Sequence, residues 1–276
     1  MKVALVHDYI KEYGGAERVL EALHEMYPQA PVFTSLYLPE FLGPHKERFK
    51  GWDIRESWVR YLPFKEKLIS VLRVLSPLIF RSFDFSRFDV VIVSATGAYF
   101  PNTIKCHLHV CYCHTPPRYL YGYATAREWK KNVLFRILGE VTNHFLRLVD
   151  FKSAQNVDYF IANSQEVASR INKFYRRNSI VIYPPVDIDS IKYKVLSIKG
   201  RKNTKYSILH TSYYLAGGRL ARPKNIDLIV RVCQKLKVPL KVFGREFIGK
   251  IKDPFGPSSG RGQKSKIKDA NVEFVG

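Results

Sequence analysis

Short apolar, β-branched runs alternate with longer amphipathic stretches along most of the chain. The first run covers residues 2–6 and leads through a loop to a helical pattern with Val19, Leu20, Leu23 and Met26 on one face. Strand-like runs separated by helix-like stretches are typical of parallel βαβ units. The pattern therefore predicts an α/β fold built on parallel sheets.

The same alternation continues as far as a pair of prolines. Further strands are predicted at 32–37, 89–94, 108–113, 158–164 and 179–184, and helices at 126–154 and 165–175. Pro184 and Pro185 then interrupt the regular pattern. We therefore predict that residues 1–185 form a first, Rossmann-like domain.

A basic and polar stretch at 187–205 is interpreted as the crossing between two domains. After it the α/β pattern restarts, with strands predicted at 213–218, 240–244 and 272–276 and a helix at 224–236. These elements are too few to cover both faces of a doubly wound sheet. Residues 186–276 are therefore predicted to be a second, truncated Rossmann-like domain.

The apolar stretches are too short for membrane insertion. The longest, residues 68–80, is broken by Arg73 and by a Ser-Pro pair, whereas a bilayer crossing needs roughly 20 residues. The apolar run before His7 is shorter than the core of a signal peptide. We therefore expect a cytoplasmic protein whose four cysteines are reduced thiols.

Charge adds a prediction about partners. The chain has 45 Lys and Arg against 24 Asp and Glu, a formal net charge of +21, which attracts polyanions. Because no signature of a nucleic-acid-binding module accompanies the charge, we expect no nucleic-acid partner. Basic, apolar segments at 64–75 and 126–154 fit peripheral contact with an anionic membrane surface. A core-facing stripe with a solvated basic side gives the same pattern.

Two glycine pairs each lie between a predicted strand and a helix. Gly14 and Gly15 precede the first helix, whose free amide groups could hold a phosphate. A plain tight turn explains this pair equally well.

The second pair, Gly217 and Gly218, is followed by Arg219 and Lys224. A guanidinium fork and an ammonium converging near a helix start suit a diphosphate. The alternative is that both cations are simply solvated.

The segment CYCHTPPRYLYG, residues 111–122, follows a predicted buried strand. Side-chain alternation separates its cysteines and histidines onto two faces, which argues against a metal site. His114 instead falls just past the carboxyl end of the strand, where open α/β sheets bind ligands, and Arg118 follows one turn later. The alternative is a histidine that only stabilises its loop.

Four segments in order resemble one family: HDYIKEYGGAERVLEAL, CYCHTPPRYLYG, DYFIANSQEVASRINKFYRRNSIVIYPPVD and GGRLARPKNIDLIV. They are similar to the retaining, nucleotide-sugar-dependent glycosyltransferases of family 4, which have the two-Rossmann architecture called GT-B. The resemblance covers most of residues 1–250. Its CHTPPRYLYG and YPPVD segments look most like bacterial enzymes that add mannose or a related hexose to surface polysaccharide or lipid-linked oligosaccharide.

The resemblance implies that residues 1–185 are the acceptor-side domain and that residues 186–276 are part of the nucleotide-sugar donor domain. It also implies roles for individual residues. Gly14 and Gly15 would present backbone amides to the donor phosphates or the acceptor, and His114 would touch the donor sugar near the scissile bond. Arg219 and Lys224 would bind the nucleotide diphosphate and stabilise its charge as it leaves.

Two further residues, Tyr9 and Arg118, are assigned to the acceptor side. The co-substrate implied is a nucleotide diphosphate sugar such as GDP-mannose, with no metal and no other cofactor. The implied partners are a glycan or lipid-linked acceptor and the membrane that carries it.

One departure from the family concerns the second domain. The family continues past the strand matched by NVEFVG to two glutamates eight positions apart that bind the donor, and this chain ends before them. It also has FGREF at 243–247, where a further glycine and proline are usual. We therefore expect a fragment with little or no transferase activity. The alternative is a remnant that binds an anionic glycolipid or nucleotide without turnover.

Overall fold

The computed structural model describes residues 1–123, 133–186, 213–217, 225–243 and 272–274. Its strands are β1 (Val3–His7), β2 (Val32–Thr34), β3 (Ile54–Glu56), β4 (Val90–Ala95), β5 (His109–Cys113), β6 (Tyr159–Ala162), β7 (Ile180–Val181), β8 (Tyr214–Gly217), β9 (Leu240–Phe243) and β10 (Val272–Phe274). Its α-helices are α1 (Gly15–Met26), α2 (Lys65–Arg81), α3 (Val133–Gln155), α4 (Gln165–Tyr175) and α5 (Ile226–Leu236). The chain divides into two units, with the described residues up to 186 in the first and those from 213 onward in the second.

The first unit is built on a parallel sheet of seven strands in the order β3-β2-β1-β4-β5-β6-β7. The interior strand β1 lies between β2 and β4, with Leu5 opposite both Val32 and Ile92. Because all of these strands run in the same direction, their carboxyl ends meet at one edge of the sheet. The residues that follow the strands therefore gather at that edge.

Apolar side chains from alternate strand positions form a core on each face of this sheet. Ala4 and Val6 of β1 belong to one cluster, whereas Val3 and Leu5 belong to the other, where Leu20 of α1 packs on them. Both faces are covered, as expected for a parallel sheet.

The second unit contains a parallel sheet in the order β10-β9-β8. Val230 and Cys233 of α5 pack on Ala216, Leu240 and Val242 of this sheet. Parallel strands with packed helices in both units confirm the predicted α/β class with two Rossmann-like domains.

Helix α2 extends beyond the basic, apolar segment noted at 64–75. It runs through Pro77 to Arg81. Proline has no N–H for the carbonyl oxygen of Arg73, one turn earlier. That oxygen accepts a hydrogen bond from Ser76 Oγ instead, at 2.8 Å.

Two smaller features also differ from the sequence analysis, and one prediction lies partly outside the described residues. Met26 shares a helical face with the apolar residues of α1 in the sequence pattern but is 68% exposed at the end of the helix. The edge strand β3 was not predicted, since Ile54 is the only apolar residue in it. The start of the helix predicted at 126–154 lies outside the described residues. Within the described parts of the chain, no helix is long and apolar enough to span a membrane.

Candidate functional site

Polar side chains from three neighbouring strands gather at the carboxyl edge of the first sheet. His7 ends β1 and Asp8 follows it, Ser94 lies near the end of β4, and His114 comes directly after β5. Glu17 approaches from the first turn of α1. Of these five, His114 alone is partly exposed, and the other four are buried.

Four of these side chains form a continuous chain from α1 to β5. Glu17 Oε2 accepts a hydrogen bond from the backbone N–H of Gly14 at 2.8 Å, and Glu17 Oε1 lies 3.6 Å from His7 Nε2. On its other side, His7 Nδ1 lies 3.1 Å from Ser94 Oγ. Ser94 Oγ in turn lies 3.0 Å from His114 Nε2. Gly14 and His114, which the sequence singled out separately, thus belong to one polar cluster.

The environment of this cluster sets the charges of its two ends. Burial lowers the pKa of His114 to about 4, and His7 adds to this effect while Glu17 opposes it. Burial alone would raise the pKa of Glu17, but His7 and the backbone N–H groups of Glu17 and Gly14 together lower it. At neutral pH the site therefore combines a neutral imidazole at its exposed end with a carboxylate at its buried end.

Asp8 holds the loop that follows β4. Its carboxylate accepts hydrogen bonds from the backbone N–H groups of Ala98 and Tyr99, both at 3.0 Å, and from the hydroxyl of Thr96 at 2.5 Å. Tyr9, assigned to the acceptor side, packs its ring against that of Tyr99 with 5.2 Å between the ring centroids.

The loop that carries His114 is fixed from both sides. The carbonyl oxygen of His114 accepts a hydrogen bond from Asn163 Nδ2 at 3.1 Å, and the hydroxyl of Thr115 accepts one from Arg170 at 3.2 Å. Gly97 adopts a φ of +77°, and a Cβ at this position would overlap the carbonyl oxygen of Thr115. The loops after β4 and β5 therefore pack too closely to admit a side chain at Gly97.

Gly14 and Gly15 have no conformational need to be glycine. Gly14 is extended and Gly15 is the first residue of α1. A Cβ on Gly15 would meet nothing within 4 Å, and one on Gly14 would meet only the carboxylate end of Glu17 at 3.3 Å. The N–H of Gly14 donates a hydrogen bond to Glu17, so this N–H already has an acceptor within the protein.

The remaining predicted residues lie elsewhere. Arg118 is exposed, and its carbonyl oxygen accepts a hydrogen bond from Tyr123 at 3.0 Å. Arg219 and Lys224 lie outside the described residues. Gly217 has a structural reason to be glycine, because a Cβ there would overlap the ring of Phe243.

The two cysteines of the segment CYCHTPPRYLYG are part of the hydrophobic core. Cys111 and Cys113 are buried in the cluster beneath the site. In the described part of the chain, no three His, Cys, Asp or Glu side chains are placed to hold a metal ion.

The sequence predictions missed His7, Glu17 and Ser94. Each carries a signal that a sequence can show, because His7 and Ser94 stand at the ends of apolar strand runs and Glu17 stands three residues after Gly14. A glutamate at that spacing is typical of a capping box.

Comparison with solved structures supports the architecture. The chain resembles Anabaena HepE (Alr3699), a structure described as a complex with UDP, with a TM-score of 0.50 and 15% identity. A second structure of HepE, described as a complex with UDP and glucose, matches with the same values. The match covers 90% of this chain and 62% of the HepE chain. At this identity the likeness shows the fold, which is of the GT-B type.

Comparison with sequence families identifies the first unit. No curated protein matches the chain significantly. The profile described as Glycosyltransferase Family 4 matches residues 13–190, which is more than half of the chain and includes the cluster residues Gly14, Glu17, Ser94 and His114. The chain therefore belongs to glycosyltransferase family 4.

Proposed function

We propose that the protein is a glycosyltransferase that moves a hexose from a nucleotide diphosphate sugar to a polysaccharide or lipid-linked acceptor, with retention of configuration. Membership of family 4 supports the reaction class. The HepE structures, described with UDP and with UDP and glucose, support a nucleotide sugar as the donor. GDP-mannose is the first donor to test, since the resemblance of the sequence points to mannose.

The placement of His114 carries this proposal. The residue stands at the carboxyl end of a central strand, where open α/β sheets bind ligands, and its pKa of about 4 keeps it neutral at pH 7. A neutral imidazole can form hydrogen bonds with a sugar hydroxyl, and it carries no positive charge that would attract it to the diphosphate instead. We assign to it the contact with the transferred sugar.

The glycines at the start of α1 support a close approach by the ligand. Gly15 is required neither by backbone conformation nor by a neighbour in the first unit, whereas a Cβ on Gly14 would lie 3.3 Å from the carboxylate of Glu17. Close contact with a ligand is a remaining reason for glycine at a helix start. Gly15→Ala should therefore leave the free energy of unfolding unchanged or raised, yet weaken binding of the nucleotide sugar or the acceptor.

Arg219 and Lys224 are proposed to bind the diphosphate. Charge-assisted hydrogen bonds from these side chains would stabilise the negative charge that develops on the leaving nucleotide. In this scheme the donor phosphate assists removal of the acceptor proton, and the reaction uses no metal.

The first test is a calorimetric titration of the whole chain with GDP and with UDP. Arg219→Ala and Lys224→Ala should each weaken binding at least tenfold, whereas Lys235→Ala, a matched exposed cation on α5, should not change it. Unchanged affinity in Arg219→Ala would refute the assignment of the diphosphate site.

The second test is turnover with a panel of nucleotide sugars, with the anomeric configuration of the product read by NMR. A product with the anomeric configuration of the donor is expected, and an inverted product would refute retention. His114→Ala should abolish sugar transfer and leave affinity for the free nucleotide intact. Binding of nucleotide or glycolipid without turnover of any sugar would agree with the expected fragment and with a catalytically incomplete remnant alike.

We also propose that the protein acts at the cytoplasmic face of an anionic membrane. Helix α3 exposes apolar side chains at helical spacing, and these are Ile137, Leu138, Val141, Phe145 and Leu148. The net charge of +21 complements anionic lipid. This apolar face of α3 would lie at the level of the headgroups.

Vesicle flotation tests this orientation. Phe145→Asp together with Leu138→Asp should reduce binding to phosphatidylglycerol vesicles at least tenfold, because each buried apolar side chain contributes about 1.5–3 kcal/mol. Met26→Asp, a single exposed position on α1, is the matched control. Equal flotation of both variants would refute docking through α3.

A further inference from the structure

The side chains between α1 and His114 form a series of contacts in which the donor or acceptor role of one group determines the role of the next. Glu17, His7 and Ser94 are all buried, and together they reach Nε2 of His114 through contacts of 3.6, 3.1 and 3.0 Å. The hydroxyl of Ser94 has one proton and two lone pairs, and its hydrogen-bond partners in the described part of the chain are the two histidine rings. When it donates to one ring, it accepts from the other. The tautomer of one histidine therefore fixes that of the other.

The carboxylate of Glu17 determines which groups in this series of contacts donate and which accept. Its Oε2 is occupied by the N–H of Gly14, and its Oε1 is 3.6 Å from His7 Nε2. That separation is longer than a hydrogen bond, and His7 Nε2 has no hydrogen-bond partner in the part of the chain that the structure describes. A lone pair on Nε2 would face the carboxylate with like charge, whereas an N–H would be attracted to it. A His7 ring that carries a single proton therefore holds that proton on Nε2.

The remaining protons follow in sequence. Nδ1 of His7 then carries a lone pair and accepts the hydroxyl proton of Ser94. Ser94 Oγ, with its proton committed, accepts a hydrogen bond from Nε2–H of His114. The neutral His114 ring is left with a lone pair on Nδ1.

We propose that Glu17, His7 and Ser94 are positioning residues that hold His114 as the Nε2–H tautomer, with Nδ1 as an acceptor for a hydroxyl group of the bound sugar. An ionised phosphate oxygen cannot donate a hydrogen bond, so this tautomer selects a hydroxyl rather than the diphosphate. The sugar as ligand rests on the proposed function. The tautomer itself does not.

Glu17→Gln tests this proposal because it preserves the shape of the side chain and replaces one acceptor oxygen by an NH₂ donor. The side-chain carbonyl must stay on the N–H of Gly14, since the amide group there would set two donors against each other. The amide NH₂ then faces His7 Nε2, which becomes an acceptor. His7 Nδ1–H donates to Ser94, Ser94 donates to His114 Nε2, and the proton of His114 moves to Nδ1.

Histidine tautomers are read by ¹⁵N NMR of the whole chain labelled at histidine, without any ligand, at pH 7. The wild type should show His114 protonated at Nε2, and Glu17→Gln should show it protonated at Nδ1. His109 is an internal control, because it lies on β5 and its Nε2 contacts Asn102 at 3.1 Å, outside the chain of contacts. Its signals should be the same in both proteins.

Two further variants distinguish an effect that reaches His114 through His7 and Ser94 from a general structural effect of a substitution in α1. Glu21→Gln, also on α1 but paired with Arg48 at 2.9 Å, should leave His114 unchanged. Ser94→Ala removes the linking hydroxyl, so addition of Glu17→Gln to it should cause no further change at His114.

The proposal is overturned by any of three results: a wild-type His114 protonated at Nδ1 or present as a mixture of tautomers, an unchanged His114 in Glu17→Gln, or a response to Glu17→Gln that survives Ser94→Ala. Each of these would leave the transferase proposal standing. Conversely, a chain that binds no nucleotide sugar but has the expected tautomers would refute the proposed function alone.

Discussion

Asp8 is the side chain whose removal should most damage the edge of the first sheet. It is fully buried, and its carboxylate accepts the N–H groups of Ala98 and Tyr99 and the hydroxyl of Thr96. Asp8→Ala removes the acceptor and leaves the buried N–H of Tyr99 without it. The N–H of Ala98 keeps a long contact of 3.3 Å with Thr96 Oγ1.

The expected cost follows from these contacts. The unsatisfied buried N–H of Tyr99 costs about 1–3 kcal/mol. The hydrogen bonds that the carboxylate accepts from Ala98 and Thr96 are lost as well, and hydrogen bonds to a charged group contribute about 1.5–3 kcal/mol each. We therefore expect Asp8→Ala to lower the free energy of unfolding by about 3–5 kcal/mol. Asp8→Asn keeps one acceptor oxygen but turns an NH₂ toward the donors, so a loss of about 2–3 kcal/mol is expected.

Urea unfolding followed by tryptophan fluorescence measures this loss, since Trp52 and Trp58 belong to the first unit. Asp89→Ala is the control, because Asp89 is 62% exposed in its contact with the amino terminus. That change should cost less than about 0.5 kcal/mol. A loss below about 1 kcal/mol in Asp8→Ala, with an unchanged dependence on urea, would refute the reasoning.

Further predictions concern glycine geometry and pH. Gly97→Ala should destabilise the first unit by about 2–4 kcal/mol, whereas Gly122→Ala, with a φ of +78° but nothing within 4 Å, should cost about 1–2 kcal/mol; similar urea midpoints for the two would contradict the overlap at Gly97. The pKa values of about 4 for His109 and His114 mean that the unfolded chain binds protons between pH 6.5 and 4 that the folded chain does not. Acidification should therefore cost up to about 3 kcal/mol per histidine, and an equal pH dependence in His109→Gln would contradict this. Burial raises the pKa of Asp150 to about 7, so the folded chain keeps a proton that the unfolded chain releases. Asp150→Asn should gain stability relative to the wild type as pH rises from 4 to 7, by up to about 4 kcal/mol; a stability difference that does not vary with pH would refute it.

Local signals made parts of the fold predictable. Helix α4 was predicted at 165–175 and occupies those residues, because Ser164 caps its start by accepting the N–H of Val167 and Arg176 ends it in a left-handed conformation. The strands of the sheet interior were predicted to within a few residues, since both of their faces are apolar. In these elements, local propensity and tertiary burial favour the same structure.

Other parts depend on partners distant in sequence. Nothing local predicts β3, whose pairing with β2 supplies its backbone hydrogen bonds. The helix through Pro77 persists because its displaced carbonyl oxygen finds a hydroxyl and its apolar face is buried. Met26 fits the apolar face of α1 by periodicity, but it is the last residue of the helix and its side chain is exposed. Periodicity gives the face of a helix, whereas burial also depends on how far the neighbouring layer extends.

The site shows the same division between local pattern and strand order. His114 could be predicted because a polar residue after an apolar run in a parallel sheet stands at the ligand-binding edge. Its connection to His7 and Ser94 could not, because these two are 87 residues apart and meet only through the pairing of β1 with β4. Once that order is known, the contact is dictated, since His7 and Ser94 occupy paired positions and Ser94 pairs on its other side with β5. The side-chain contacts at this edge of the sheet therefore depend on the strand order β1-β4-β5 as much as on any sequence motif. For the same reason, a substitution in α1 can change the hydrogen bonding of His114, which follows β5.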